Sequence, residues 1–227
     1  MKKLMSLVAL AVVGSVVAAS AQEVLSANAV GYVKRTVPAG GLQIVSVPFD
    51  NIASDTGTYK FGETQIANDL PQGSRVMFWY EDSQVWSGGA KGAKGWAAGQ
   101  ANYELKPGEA FFIKNATDAD LEVTAAGEVP ADAKLSRAYV GDTALTIVAN
   151  AYPVDVKFGD TELANQLPQG SRVMFWYDDT QVWSGGAKGA KGWAAGQANY
   201  VVKAGEGFFI RSGAEGTWEA VKPYTWP

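Results

Sequence analysis

The sequence contains no cysteine and no histidine. The first absence excludes disulfides, thiolate metal sites and thiol nucleophiles; the second removes the commonest general base, so neither a Ser-His nor a Cys-His pair can operate. Charge of one sign is also scarce. Nineteen basic residues stand against 23 acidic ones, a net of -4 with a pI near 5.0. A nucleic-acid footprint needs a basic face to neutralise phosphates, so no nucleic-acid partner is expected. Beyond the first 21 residues no apolar run approaches the roughly 20 residues that cross a bilayer, which argues against an integral membrane protein. Walker-type phosphate loops, G-x-G-x-x-G, G-x-S-x-G and S-x-x-K are missing as well.

What is present is a chain of 227 residues, 47% apolar and 11% aromatic, the composition of one large or two small globular domains. Met1-Lys2-Lys3, the apolar stretch Leu4 to Ala18 and Ala19-Ser20-Ala21 form a basic start, a hydrophobic core and an A-x-A cleavage site. Residues 1–21 are therefore expected to be a signal peptide, with a mature chain from Gln22 that is periplasmic, cell-surface or extracellular. Without cysteine, an exported protein must rely on a packed core, and about 200 residues bury roughly 70% of their unfolded surface.

The mature chain repeats itself. Leu70 to Tyr103 recurs as Leu167 to Tyr200 with changes only at Glu81/Asp178 and Ser83/Thr180. Flanking segments align more loosely: Tyr103 to Ile113 faces Tyr200 to Ile210, and Gly41 to Val45 faces Ala144 to Val148. The second copy is shorter in the region of Asp50 to Tyr59, where a polar surface loop tolerates insertion. Two repeats follow, residues 22–130 and 131–227.

Within a repeat the pattern is β. Ala29–Val37, Leu42–Phe49, Arg75–Tyr80, Gln84–Trp86, Glu109–Lys114 and Leu121–Thr124 are short runs rich in β-branched and aromatic residues, bounded by turn residues. Val76-Met-Phe-Trp-Tyr80 is apolar on both faces and should be central or sandwiched. Glu63–Asp69 and Glu162–Gln166, each closed by Leu-Pro, predict one short helix per copy. The expected fold class is all-β: two tandem homologous β-sandwich or small-barrel repeats, able to pack as one pseudo-twofold body.

Two features of the repeated block suggest ligand binding. Ser87 to Gly95 and Ser184 to Gly192 are glycine-rich and read as hairpin loops, carrying Lys91, Lys94, Lys188 and Lys191 either for solubility or as a binding lip. Trp86, Trp96, Trp183 and Trp193 flank those loops, and flat indoles can stack on sugar faces while Gln84, Asp82, Gln100 and Asn102 hydrogen-bond hydroxyls. A binding module leaves such indoles exposed beside the loop, whereas a structural subunit buries them. Trp79, inside the apolar strand, reads as core.

Carboxylates are the catalysts left by elimination. Adjacent Glu81 and Asp82 point to opposite faces of a continuing strand and, with Arg75, serve better as charged flanks to an aggregation-prone run. Glu109 and Glu206 follow turns and read as caps for turn amides. Asp50 to Asp55 and Asp118 to Asp120 are oxygen-rich but lack the spacing of a calcium loop. No catalytic residue, metal or cofactor is expected.

Ser26-Ala-Asn-Ala-Val-Gly-Tyr-Val33, the Val-Pro-Ala-Gly-Gly turn after it and Gly-Glu-Gly-Phe-Phe-Ile210 resemble a group of secreted two-lobed proteins of Verrucomicrobia-like bacteria. The resemblance implies an exported β-rich protein and transfers no activity or site residue; the Gly-Ala-Lys-Gly block departs from the group. The expected function is an exported, non-enzymatic structural or cell-surface protein that packs on itself or on other surface components. The alternative is a carbohydrate-binding protein, with polysaccharide as partner, using the tryptophans beside the glycine-rich segment.

Overall fold

The computed structural model describes residues 29–225 apart from Asp55; the expected signal peptide lies outside the described residues. The chain is mostly β, in antiparallel sheets with short helices between them. The first half runs β1 (Val30–Val37), β2 (Leu42–Ser46), β3 (Tyr59–Lys60), α1 (Gln65–Asp69), β4 (Arg75–Tyr80), β5 (Val85–Ala90), α2 (Ala98–Ala101), β6 (Glu104–Leu105), β7 (Ala110–Lys114) and β8 (Leu121–Glu128). The second half runs β9 (Lys134–Tyr139), β10 (Leu145–Ala149), β11 (Val156–Lys157), α3 (Glu162–Gln166), β12 (Arg172–Tyr177), β13 (Val182–Ala187), α4 (Ala195–Ala198), β14 (Val201–Val202), β15 (Gly207–Arg211) and β16 (Gly216–Val221). Each half holds a four-stranded sheet, ordered β2-β7-β4-β5 or β10-β15-β12-β13, and two-stranded ribbons β1-β8 with β3-β6, or β9-β16 with β11-β14.

Side-chain alternation explains why the middle strands are apolar on both faces. Val45, Val76, Phe78, Phe111 and Ile113 point into the first-half core, while their neighbours Ile44, Met77, Trp79, Ala110 and Phe112 point the other way. There they meet Ile147, Ala149, Trp176 and Phe209 of the second half, so the two four-stranded sheets share an apolar seam. The second half has its own core around Tyr152, Phe158, Phe175 and Phe208.

The predicted helices form, the first shortened to Gln65–Asp69 and the second over Glu162–Gln166 as expected. Thr64 and Thr161 sit at the N-caps, where their hydroxyls accept from the amides of Ala67 and Ala164 at 3.1 Å, and Leu-Pro ends each helix.

The reading of Ser87 to Gly95 as a hairpin loop requires correction. Ser87 to Ala90 continue β5 opposite Arg75 to Phe78, and only Lys91 to Gly95 turns, closed by a Gly92–Gly95 bridge with Gly95 at φ +94°. Its twin does the same at Gly189–Gly192. Glycine serves close approach here: a Cβ on Gly88 would lie 1.9 Å from the Val76 carbonyl oxygen, and one on Gly89 would lie 3.0 Å from the Gln100 side chain.

Candidate functional site

The most conspicuous residues of the repeated block converge on the seam and on the short helices. Trp86 pairs with Trp79 across the β4-β5 ladder, so its ring shares the seam face and packs edge-on against Trp79 and Phe112, each at 5.2 Å, and Phe209 at 5.7 Å. It remains 36% exposed. Trp183 repeats this arrangement against Trp176, Phe112 and Phe209. Trp96 and Trp193 lie elsewhere: their indole N–H groups donate to the carbonyls of Ala67 and Ala164, and their rings pack against Phe61 and Phe158. The structure thus brings Trp86 and Trp183 together around Phe112 and Phe209, and separates them from Trp96 and Trp193.

The lysines divide in the same manner. Lys91 Nζ donates to the carbonyls of Ala67, Asn68 and Leu70 at 2.6–3.2 Å, and Lys188 Nζ to those of Ala164, Asn165 and Leu167 at 2.7–3.0 Å. Those carbonyls end α1 and α3 without intrahelical partners, and a cation there also complements the helix dipole. Lys94 and Lys191 stand exposed at the turn tips. Lys91→Ala is expected to lower stability by about 1–2 kcal/mol and Lys94→Ala by less than about 0.5 kcal/mol, as read from urea midpoints.

Two glutamines and two tryptophans clasp the halves together. Gln84 Nε2 and Trp79 Nε1 both donate to the Leu145 carbonyl at 3.0 Å, and the Leu145 amide donates to Gln84 Oε1 at 2.7 Å. Gln181 and Trp176 do the same to Leu42, at 2.7–3.2 Å. Leu42 and Leu145 begin β2 and β10, the inner edges of the two sheets. A glutamine amide presents an N–H and a C=O side by side like a peptide group, so it closes an edge that would otherwise be bare, while its nitrogen also donates to the Glu81 or Asp178 carbonyl at 2.7 Å. Farther along, Ser46 N donates to Gly205 O and Ala149 N to Gly108 O. Gln84 and Gln181 both hold φ +55°, a left-handed conformation that costs a non-glycine residue about 1 kcal/mol and is offset by these bonds.

Beside the clasp lies an open cleft of about 540 Å³, lined by Trp79, Tyr80, Asn102, Tyr103, Glu109 and Arg137 among others. Glu109 caps its turn as expected, accepting from Lys106 N at 3.0 Å, and also from Tyr103 Oη at 2.6 Å. Arg137 crosses from the second half to Glu81 at 2.8 Å. At the equivalent place Glu206 accepts from Tyr200 and Lys203 N, with Arg35 at 3.9 Å. Asp178 is one methylene shorter than Glu81, and this is one of the block's two changes.

Burial pushes the Glu206 carboxyl above its ordinary range, against the lowering effect of Tyr200, the Lys203 amide and Arg35. Burial, reinforced by the neighbouring carboxylate, also holds the Tyr103 and Tyr200 hydroxyls well above 10. Burial raises Tyr224 to about 12. These phenols keep their protons when folded but lose them near pH 10 when unfolded. Their contribution is complete below pH 10 and is lost as pH rises beyond it, so unfolding midpoints should fall between about pH 10 and 12. Tyr103→Phe with Tyr200→Phe should flatten that fall in alkaline urea titrations.

In the oxygen-rich segment Asp118 to Asp120, Asp120 accepts from the Ala39 amide at 2.9 Å. Asn115 just before it is fully buried and bonded to Val37 O, Ala119 O and Thr117. Among the described residues no group of three or more metal-ligating side chains gathers, and no helix is long and apolar enough to cross a membrane.

No protein family, curated protein or solved structure matches this chain. The functional reading therefore rests on geometry.

Sequence reasoning missed Arg137 and Tyr103 in the cleft. One signal was available: Arg35 and Arg137 align at equivalent positions of strands that otherwise diverge.

Proposed function

We propose that the protein is an exported, non-enzymatic structural component in which two homologous β lobes are clasped as one pseudo-twofold body. The observation that carries this reading is the reciprocal clasp of Trp79 and Gln84 onto Leu145, and of Trp176 and Gln181 onto Leu42. Near-identity of the repeated block then has a physical reason, because the same side chains must meet the same edge from both sides. The signal-like first 21 residues and the resemblance to secreted two-lobed proteins support export. The outer edge strands β5 and β13, exposed over most of their length, support assembly, since they give the body two like edges at which further strands can add.

A carbohydrate-binding role is the second reading, and the cleft favours it more than the tryptophans do. Tyr80 is exposed there beside Asn102, Glu104 and Lys106, a mixed aromatic and polar surface suited to sugar hydroxyls.

The test is tryptophan fluorescence of the chain from Gln22 during titration with soluble polysaccharides, with light scattering followed in parallel. The structural reading expects no saturable spectral change and a scattered mass that grows with protein concentration. A saturable quench abolished by Tyr80→Ala would instead assign the cleft to glycan binding.

A further inference from the structure

The halves differ where a tyrosine of the first is replaced by a valine in the second. In the first half Tyr59 on β3, paired with Leu105, fills the space under β8, and its hydroxyl donates to Ala126 O at 2.9 Å. A hollow beside it, lined also by Leu105, Pro130 and Leu135, is about 10 Å³, hardly room for one water. In the second half the equivalent β11–β14 pair is Val156 with Val202. An aromatic ring and a methylene are gone, and a cavity of about 250 Å³ opens between α3, β11, β14 and β16.

Its walls include Tyr152, Leu163, Val202, Phe208, Trp218 and Ala220, all buried. A hollow of this size has room for a small ring, since about 150 Å³ already accommodates benzene. Trp218, at 5% exposure, lines the cavity, and its indole Nε1 is buried without a hydrogen-bond partner. The first half has Val123 at this position, facing Arg35 as Trp218 faces Arg137. The lining also carries Asp155, Asp160 and Glu162. The basic residue nearby, Lys222, directs its ammonium to the Ala131 carbonyl at 2.9 Å.

We propose that this cavity binds a small amine with an aromatic or compact aliphatic body, the body seated against Phe208 and Trp218 and the ammonium held by the carboxylates. The apolar walls select the body; Asp160 and Glu162, beside Asp155, which accepts from the Ala204 amide at 2.8 Å, outnumber the lysine of the lining and select a cation, which the Trp218 ring also favours. The cavity lies in the second half, and the proposal stands independently of the structural reading above.

The experiment is thermal shift and calorimetry on the full mature chain with 2-phenylethylamine, and with 2-phenylethanol as its neutral counterpart. Saturable binding of the amine is expected, at least tenfold tighter than the alcohol. Asp160→Asn with Glu162→Gln should remove that preference. Val156→Tyr, which restores the first-half filler, should abolish binding, and Val202→Leu gives a milder filler should the tyrosine disturb folding. No binding to the unaltered protein, binding untouched by either filler, or equal affinity for amine and alcohol would each overturn the proposal.

Discussion

Gly207→Ala should destabilise the protein severely, and adding Ala110→Gly to the same chain should restore it. Ala110 and Gly207 open β7 and β15 at equivalent positions of the two halves, and they touch each other across the seam. A Cβ on Gly207 would lie 2.1 Å from the Ala110 Cβ and 3.0 Å from Ile44 Cγ1, far inside contact distance. Both strands are held in four-stranded sheets, so neither backbone can retreat without breaking ladder hydrogen bonds. Overpacking of a tight core costs about 1–3 kcal/mol, and this geometry belongs at or above the upper end. The exchanged pair keeps one methyl at the contact and should return to within about 1 kcal/mol of the starting stability. Urea unfolding of the three variants decides it; a neutral Gly207→Ala would mean that the sheets do not meet as described. Where equivalent positions of two repeats touch, only one can carry a side chain, and this accounts for Gly-Glu-Ala-Phe in one copy and Gly-Glu-Gly-Phe in the other.

Truncating the aromatic centre of the seam is the second large effect. Phe112, 5% exposed, packs edge-on against Trp86, Trp176 and Trp183, and Phe209 packs against Trp79, Trp86 and Trp183. Phe112→Ala or Phe209→Ala should each cost about 3–5 kcal/mol, a large share of the 5–15 kcal/mol by which typical domains are stable. The rings share Trp86 and Trp183, so the double variant should lose less than the sum of the single losses, with a coupling of about 0.5–3 kcal/mol. Denaturant unfolding gives all three values. Strict additivity would contradict a single packed seam.

Several features were legible from residue order. Alternation and turn chemistry located the main strands, the Leu-Pro stops located α1 and α3, and an apolar pattern on both faces marked β4 as sandwiched. Glu109 and Glu206 were legible as turn caps because a carboxylate three residues beyond an amide reaches it locally. The tryptophans were not. Trp86 and Trp96 are ten positions apart and flank one glycine-rich segment, yet that segment continues β5 before it turns. Trp86 therefore faces the seam, and Trp96 returns against α1. Gln84 looked like a sugar ligand because only one partner of its amide, the Glu81 carbonyl, is near it in sequence; the other, Leu145, lies 61 residues away. Tyr59 and Val156 each precede Lys-Phe-Gly and so align in the sequence, but the space that one fills and the other leaves appears only when β3 and β11 are paired with β6 and β14.

Residue order by itself determined the repeat, the β character and which faces of each strand are apolar, because side-chain direction follows from a local period of two. Tertiary structure alone decided what those faces meet: the glutamine clasp, the contact between Ala110 and Gly207, and the cavity left by Val156. Each depends on residues brought together from distant parts of the chain, and their fit is set by distances across the seam and within the core that no local pattern encodes.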